Sequence, residues 1–246
     1  MILDHLMHND IDLFLNGNTS ENVAVDIGCS NNSYTFWIPD CKRICIDYDK
    51  AKTDSLPREN NTIILNERIT PSNVNDILTS NGVPKQFKFL NLDIDGYDIF
   101  VLDSLLSYFS PYLICSEINE KIPPPIKFSV LFDENYRWAV DHFFGYSISY
   151  LEDILDKYGY DLVKLEYNNV FLIKTELNKF EKMSINDAYN NGYILRPDRP
   201  RIFYYNQDVQ FLIDNHPVDK KIEFIDRYFK KYDGKYVAVE SNNPLY

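Results

Sequence analysis

Five short apolar runs in the first half of this chain each finish on a carboxylate. They are Val23-Ala24-Val25-Asp26-Ile27, Arg43-Ile44-Cys45-Ile46-Asp47, Thr62 to Asn66 followed by Glu67, Phe87 to Asp93, and Tyr112 to Glu117. Runs of this length, rich in branched residues and separated by helical spacings, predict buried parallel strands joined by right-handed crossovers. Ligands of such sheets gather outside the carboxyl ends of the strands. Folding does not require an acid at every tip, so Asp26, Asp47, Glu67, Asp93 and Glu117 together mark one rim as a site.

The first run breaks at Gly28 and continues through Cys29, Ser30, Asn31 and Asn32. A tight turn after an apolar strand exposes backbone N–H groups. Asp47, at the second tip, is placed to accept hydrogen bonds from both ribose hydroxyls of a nucleoside. A dinucleotide site would need the pattern G-x-G-x-x-G, and only Gly28 is present. S-adenosylmethionine needs no pyrophosphate cradle. Asp26 is expected to face its cationic end, and the turn N–H groups its carboxylate. The expected cofactor lining is Asp26, Gly28, Cys29, Ser30, Asn31, Asp47, Tyr48, Glu67 and Asp93.

Along the chain, residues 2–15 read as an amphipathic helix ended by Gly17-Asn18. A short helix is expected from Ser33 to before Pro39, another over 73–78 with Ser72 as its cap, and a third over 98–108. Residues 121–126, with Pro123-Pro124-Pro125, read as a stiff extended loop. A helix over 149–158 precedes two strands, 161–165 and 169–173, set around Glu166-Tyr167-Asn168 as an antiparallel hairpin. Helices are expected over 184–190 and 218–231, with Arg196 to Arg201 a proline-punctuated loop. The expected architecture is α/β: a doubly wound, mostly parallel sheet with a terminal antiparallel hairpin and a C-terminal helical appendage. The boundaries are 1–174 for the sheet domain and 175–246 for the extension.

The 246 residues are 45 % hydrophobic, enough for a sizeable core. A net charge of −12 without a basic tract argues against nucleic acid or an anionic membrane as partner. The four cysteines show no zinc-like spacing, which points to reduced thiols and a cytoplasmic setting. No signal peptide or membrane span is legible. A small molecule is the expected partner, and the extension is the candidate surface for a homodimer.

Asp93-Ile94-Asp95-Gly96-Tyr97-Asp98 sets three carboxylates at the mouth of the fourth strand, and Glu117-Ile118-Asn119 at the mouth of the fifth. Asp93, Glu117 and Asn119 offer hard oxygen ligands for Mg²⁺ or Mn²⁺, which could lower the pKa of a substrate hydroxyl. The alternative is that Asp95 or Asp98 caps the following helix while Asp93 binds backbone N–H groups. Asp93 and His142 are the candidate catalytic residues, His142 as a general base. Asp95, Tyr97, Glu117, Asn119 and Arg196 are the candidate substrate contacts, with Arg199 and Arg201 near Arg196. Against these stand plainer readings: an aromatic core segment around His142, and surface ion pairs for the arginines.

Val25-Asp26-Ile27-Gly28, Ile46-Asp47, Ile69 to Val74, Leu92 to Asp98, Gly145-Tyr146-Ser147, Lys157 to Val163 and Asn169 to Ile173 together resemble the FkbM-like class I methyltransferases. The resemblance covers roughly residues 20–175, with Cys29-Ser30-Asn31-Asn32 in place of the glycine-rich first loop. It implies a Rossmann-like fold, S-adenosylmethionine, and O-methylation of a sugar or secondary metabolite, with Asp26, Gly28, Asp47 and Asp93 lining the cofactor. The expected activity is methyl transfer to a small polar hydroxyl compound, such as a sugar or sugar nucleotide of surface-polysaccharide or secondary metabolism. The alternatives are a nucleotide-sugar or dinucleotide oxidoreductase, and a catalytically silent interaction module on a methyltransferase fold.

Overall fold

A computed structural model describes residues 22–241, so the expected helix over 2–15, with His5 and His8, lies outside the described residues. Strands β1 (Val23–Ile27), β2 (Lys42–Asp47), β3 (Thr62–Asn66), β4 (Gln86–Leu92), β5 (Ser110–Glu117), β7 (Tyr160–Glu166) and β8 (Asn169–Lys174) make a seven-stranded sheet in the order β3-β2-β1-β4-β5-β8-β7. Strands β6 (Ile126–Val130) and β9 (Tyr236–Glu240) form a separate antiparallel pair. The described helices are α1 (Lys50–Asp54), α2 (Val74–Ser80), α3 (Asp98–Leu106), α4 (Leu151–Tyr158), α5 (Ile185–Tyr189), α6 (Arg199–Ile202) and α7 (Val218–Tyr228). The protein therefore has the expected α/β, mostly parallel architecture. Two compact units interleave along the chain. Among the described residues, one comprises 22–93, Val101–Cys115 and Ile173–Asn178, the other Ile94–Phe100, Ser116–Leu172 and 179–241.

In the first unit β1 pairs in parallel with both β2 and β4, and β2 pairs in parallel with β3. All five residues of β1 are buried, as a strand flanked on both sides and covered on both faces must be. The expected helix after β1 is a single 3₁₀ turn, Tyr34–Trp37. Ser33 caps it by accepting from Thr35 N–H, and Arg43 of β2 donates to the carbonyls of Thr35 and Ile38 at 3.0 Å each. These local acceptors leave no need for a full helix before Pro39. The expected Ser72 cap is not formed. Asn73 is the cap residue of α2, and its side chain accepts from Thr70 N–H at 2.7 Å while donating to Arg68 O.

In the second unit the link Tyr167-Asn168 between neighbouring β7 and β8 is too short for anything but antiparallel pairing. Tyr167 supplies the positive φ, +58°, that this turn needs. Strands β6 and β9 were not expected from the sequence. Ile126, Phe128 and Val130 of β6 point into a core with Phe143, Val209, Leu212, Ile225 and Phe229, where Ile225 lies on α7. The intervening Lys127 pairs with Asp153 at 2.8 Å. The C-terminal extension is largely helical, but its last described element is strand β9. Part of the expected loop over 196–201 is α6. Residues 190–194 form a π-helical turn in which Gly192 is obligatory, because a Cβ there would lie 2.2 Å from the carbonyl oxygen of Leu165.

Candidate functional site

The tips of β1 and β2 hold the expected cofactor residues of the first unit. Asp26 is fully buried. Its Oδ2 accepts from Ser33 Oγ at 2.6 Å and Tyr34 N–H at 2.9 Å, and its Oδ1 from Asn91 Nδ2 at 2.8 Å. Burial pushes its carboxyl pKa up, against the pull of those three donors. The carboxylate thus faces inward and organises the first turn, whereas the sequence suggested that it would face a cationic ligand.

Gly28, at φ +86°, makes the sharp exit from β1 that a side chain would resist. The N–H groups of Gly28 and Cys29 both donate to Ile46 O, at 2.8 and 3.2 Å. Ser30, at φ +52°, donates its N–H to Asp47 Oδ2 at 2.9 Å. Three turn amides expected to greet a ligand carboxylate are therefore engaged with the neighbouring strand. Cys29 is buried, while Asn31 and Asn32 are exposed.

Asp47 behaves differently from Asp26. It is 6 % exposed, and its Oδ1 accepts from Asp49 N–H at 2.8 Å. Its own carbonyl receives Glu67 N–H and the Asn66 side chain at 3.1 and 3.0 Å, which fixes the end of β2 against β3. A carboxylate offers about four lone-pair sites, so two backbone donors leave Asp47 room for further hydroxyl donors. Beside it Tyr48 is 50 % exposed, with the Arg68 guanidinium 4.5 Å over its ring. Glu67 is exposed just past β3. Asp93 follows β4 and donates its N–H to Ile27 O at 2.9 Å. The tip of β2 thus offers an oriented carboxylate acceptor with an aromatic ring beside it and a buried strand beneath.

The second unit holds the expected acceptor-side residues. Asp98 begins α3, and its oxygens accept from the N–H groups of Ile94 and Gly96 at 2.8 Å each. These amides lie before α3, so Asp98 ties the preceding turn, where the plainer reading had it capping the helix. Asp95 sits at φ +55°. Asp95 and Glu117 have carboxylate oxygens within 4.8 Å of each other. Asn119, expected with Glu117 as a metal ligand, keeps its side-chain Oδ1 without a hydrogen-bond partner. It is fully buried, and its amide donates to the carbonyls of His142 and Phe144 at 3.0 and 2.9 Å. Tyr97 is 2 % exposed and packs edge-on against Phe132, so it belongs to the core rather than to a substrate surface.

His142 is held by Asp208, whose Oδ1 lies 3.0 Å from Nε2, and it stacks on Tyr205. Asp208 accepts a further hydrogen bond from Tyr228 OH. This partnership was not legible beforehand, because 66 residues separate His142 from Asp208. Arg196, expected to grip a substrate anion, is committed internally. Its guanidinium lies 4.1 Å over the Tyr167 ring, donates to Tyr167 OH, and stands 3.9 Å from Glu166 and 3.5 Å from Asp198. With its charge and face so occupied, it ties residues 196–198 to the β7–β8 hairpin.

No family model matches the chain, and no curated protein matches it. Solved structures do match at low similarity. A protein named only provisionally as a hemolysin, from Streptococcus thermophilus, aligns with a TM-score of 0.43 at 13 % identity, covering 80 % of this chain and 73 % of that one. A provisionally named O-methyltransferase from Klebsiella pneumoniae gives 0.39 at 16 % identity, over 66 % and 76 %. Human N-acetylserotonin methyltransferase in complex with SAM gives 0.36 at 11 % identity, over 67 % and 50 %. Likeness at this level carries no argument about activity.

Proposed function

We propose that this protein is an S-adenosylmethionine-dependent O-methyltransferase acting on a small polar hydroxyl compound, a sugar or sugar nucleotide, as its resemblance to the FkbM-like enzymes implies. One observation carries the reading. Asp47 is pinned at the tip of β2 beside the half-exposed Tyr48, in a parallel sheet whose first four strands run in the order β3-β2-β1-β4. In that place an acid receives ribose hydroxyls and an aromatic ring lies against a base.

When bound, the cofactor would supply an electrophilic methyl group on a sulfonium. The chain's own work is then to hold and orient. Asp47 fixes the ribose, and Asp26 acts one step removed, by shaping the Gly28 to Ser30 turn. His142, turned by Asp208 through Nε2, would accept the hydroxyl proton at its other ring nitrogen. Such alignment can contribute several of the roughly 7–11 kcal/mol that intramolecular positioning offers. Carboxylates at the strand ends, Glu117 with Asp95, would hold a divalent ion if the reaction uses one. EDTA should abolish turnover if the ion is required, and full activity in EDTA rejects it.

Calorimetric titration with S-adenosylmethionine tests the reading. Asp47→Ala should weaken binding by about 1.5–3 kcal/mol, the scale of hydrogen bonds to a charged group. Unchanged affinity would remove Asp47 from the site. A second reading, the silent module, is favoured by the engagement of the Gly28, Cys29 and Ser30 amides within the protein. Absence of any cofactor binding by the wild type would select it. A bound flavin or nicotinamide chromophore would instead revive the oxidoreductase reading.

A further inference from the structure

Beside His142, in the second unit, two large aromatic rings are open to solvent: Tyr205 is 50 % exposed and Trp138 38 % exposed. Both are nevertheless fixed in place. The Tyr205 ring stacks with His142 at 6.3 Å, and Tyr204 and Phe203 stand across it at 5.6 and 6.0 Å. The indole N–H of Trp138 donates at 2.7 Å to the carbonyl of Asp141, the residue before His142, and its ring meets Phe144 at 5.9 Å. Asn119 holds the backbone between them through the carbonyls of His142 and Phe144. Val140, between the indole and His142, takes φ +59°, a region that a β-branched residue enters only when its surroundings hold it there. Burial, together with the charges of Glu120 and Glu117, pushes the Tyr205 hydroxyl up to about 12. That hydroxyl therefore stays neutral, within electrostatic reach of the end of β5, where ligands of such sheets gather.

Ordered aromatic rings that face water next to an imidazole suit a ligand with an apolar face and a polar rim. A pyranose has both, because its C–H bonds project from the ring faces and its hydroxyls from the edge. Charge then chooses between kinds of sugar. Segments 131–141 and 203–208, which carry the two rings, hold Asp133, Glu134, Asp141 and Asp208 against Arg137 alone. Of the neighbouring lysines, Lys231 lies 2.8 Å from Asp141 and Lys121 lies 3.1 Å from Glu120. A diphosphate would be repelled by this acidic surface, whereas a neutral glycoside would not. We infer that Tyr205 and Trp138 form the acceptor subsite, which takes an uncharged pyranoside by its C–H surface, rather than a nucleotide sugar, and presents a hydroxyl to His142. The fate of that hydroxyl rests on the methyltransferase reading; the binding does not.

The chain has two tryptophans, so Trp37→Phe leaves Trp138 as its one indole reporter. The full-length variant is titrated, without cofactor, with the methyl glycosides of glucose, galactose, mannose and rhamnose, and with UDP-glucose. At least one glycoside should shift the Trp138 emission to saturation, and UDP-glucose should bind more weakly than the best of them. Adding Tyr205→Ala should weaken that glycoside about tenfold, whereas Tyr205→Phe, which keeps the ring, should retain most of the affinity. No saturable response to any of the four glycosides overturns the proposal. So does UDP-glucose binding as tightly as the best glycoside, or an unchanged affinity in Tyr205→Ala. If Tyr205→Ala does not fold, saturation-transfer NMR on the wild type decides. Transfer should be strongest to the C–H protons of one sugar face, and an even spread overturns the stacking. A protein that binds a glycoside but no S-adenosylmethionine overturns the methyltransferase reading and leaves this one standing; one that binds the cofactor and no glycoside does the reverse.

Discussion

Each unit contains a buried carboxylate that organises a turn, and the two are built in opposite ways. Asp98, in the second unit, takes its partners from its own neighbourhood: the N–H groups of Ile94 and Gly96, four and two residues upstream. Asp26, in the first, takes two of its three from side chains, Ser33 seven residues on and Asn91 sixty-five residues on. Burial raises the pKa of both, Asp98 to about 6. A locally satisfied acid stabilises a turn that exists before the sheet assembles. A remotely satisfied acid depends on the sheet and couples the turn to it.

The largest effect should come from breaking the remote knot. Asp26→Ala strands the Ser33 hydroxyl, the Tyr34 amide and the Asn91 amide in a dry interior, and should cost about 3 kcal/mol or more in denaturant unfolding. A loss below 1 kcal/mol would show that water reaches the turn and that the comparison with Asp98 fails.

Asp98 yields a pH signature of similar size. Its folded pKa of about 6 lies above the ordinary 3.8, so the folded state holds the proton more tightly than the unfolded one. Protonation therefore favours folding. The contribution is present at low pH and is lost as pH rises from about 4 through 6, a change of the order of 2–3 kcal/mol. Stability measured against pH for wild type and Asp98→Asn should diverge over that window, in favour of the variant as pH rises. Parallel curves would mean that the carboxylate is solvated.

Gly96 sharpens the local side of the comparison. A Cβ there would stand 3.0 Å from two ring atoms of Tyr136, whose hydroxyl is tied to Phe143 O. Gly96→Ala should cost about 1–2 kcal/mol by overpacking, and Tyr136→Phe should recover little of it. The mildest change is Ser33→Ala. It removes one donor to Asp26 together with the cap of the 34–37 turn, for about 1 kcal/mol in thermal or chemical unfolding.

Much of the sheet was legible because its signals are local. Branched apolar runs ending at Asp26, Asp47 and Asp93 announce buried strands by their own composition, and Tyr167-Asn168 announces a hairpin by its brevity. Strands β6 and β9 escaped notice for the converse reason. Ile126-Phe128-Val130 does alternate, but Pro123-Pro124-Pro125 beside it reads as a loop, and its partner lies more than a hundred residues away. The site divides along the same line. The position of Asp47 at the tip of β2 was legible from the apolar run before it. The inward turn of Asp26 and the tie between His142 and Asp208 were not.

The order of residues alone therefore set which segments become the strands of the larger sheet, and that their tips carry acid. Only the folded chain decided which acids stay at the rim and which turn inward, because that depends on donors brought from remote positions into a space that water cannot enter. A carboxylate's direction is chosen by where its hydrogen bonds can be made, and for Asp26 that place does not exist until β1 lies beside β4.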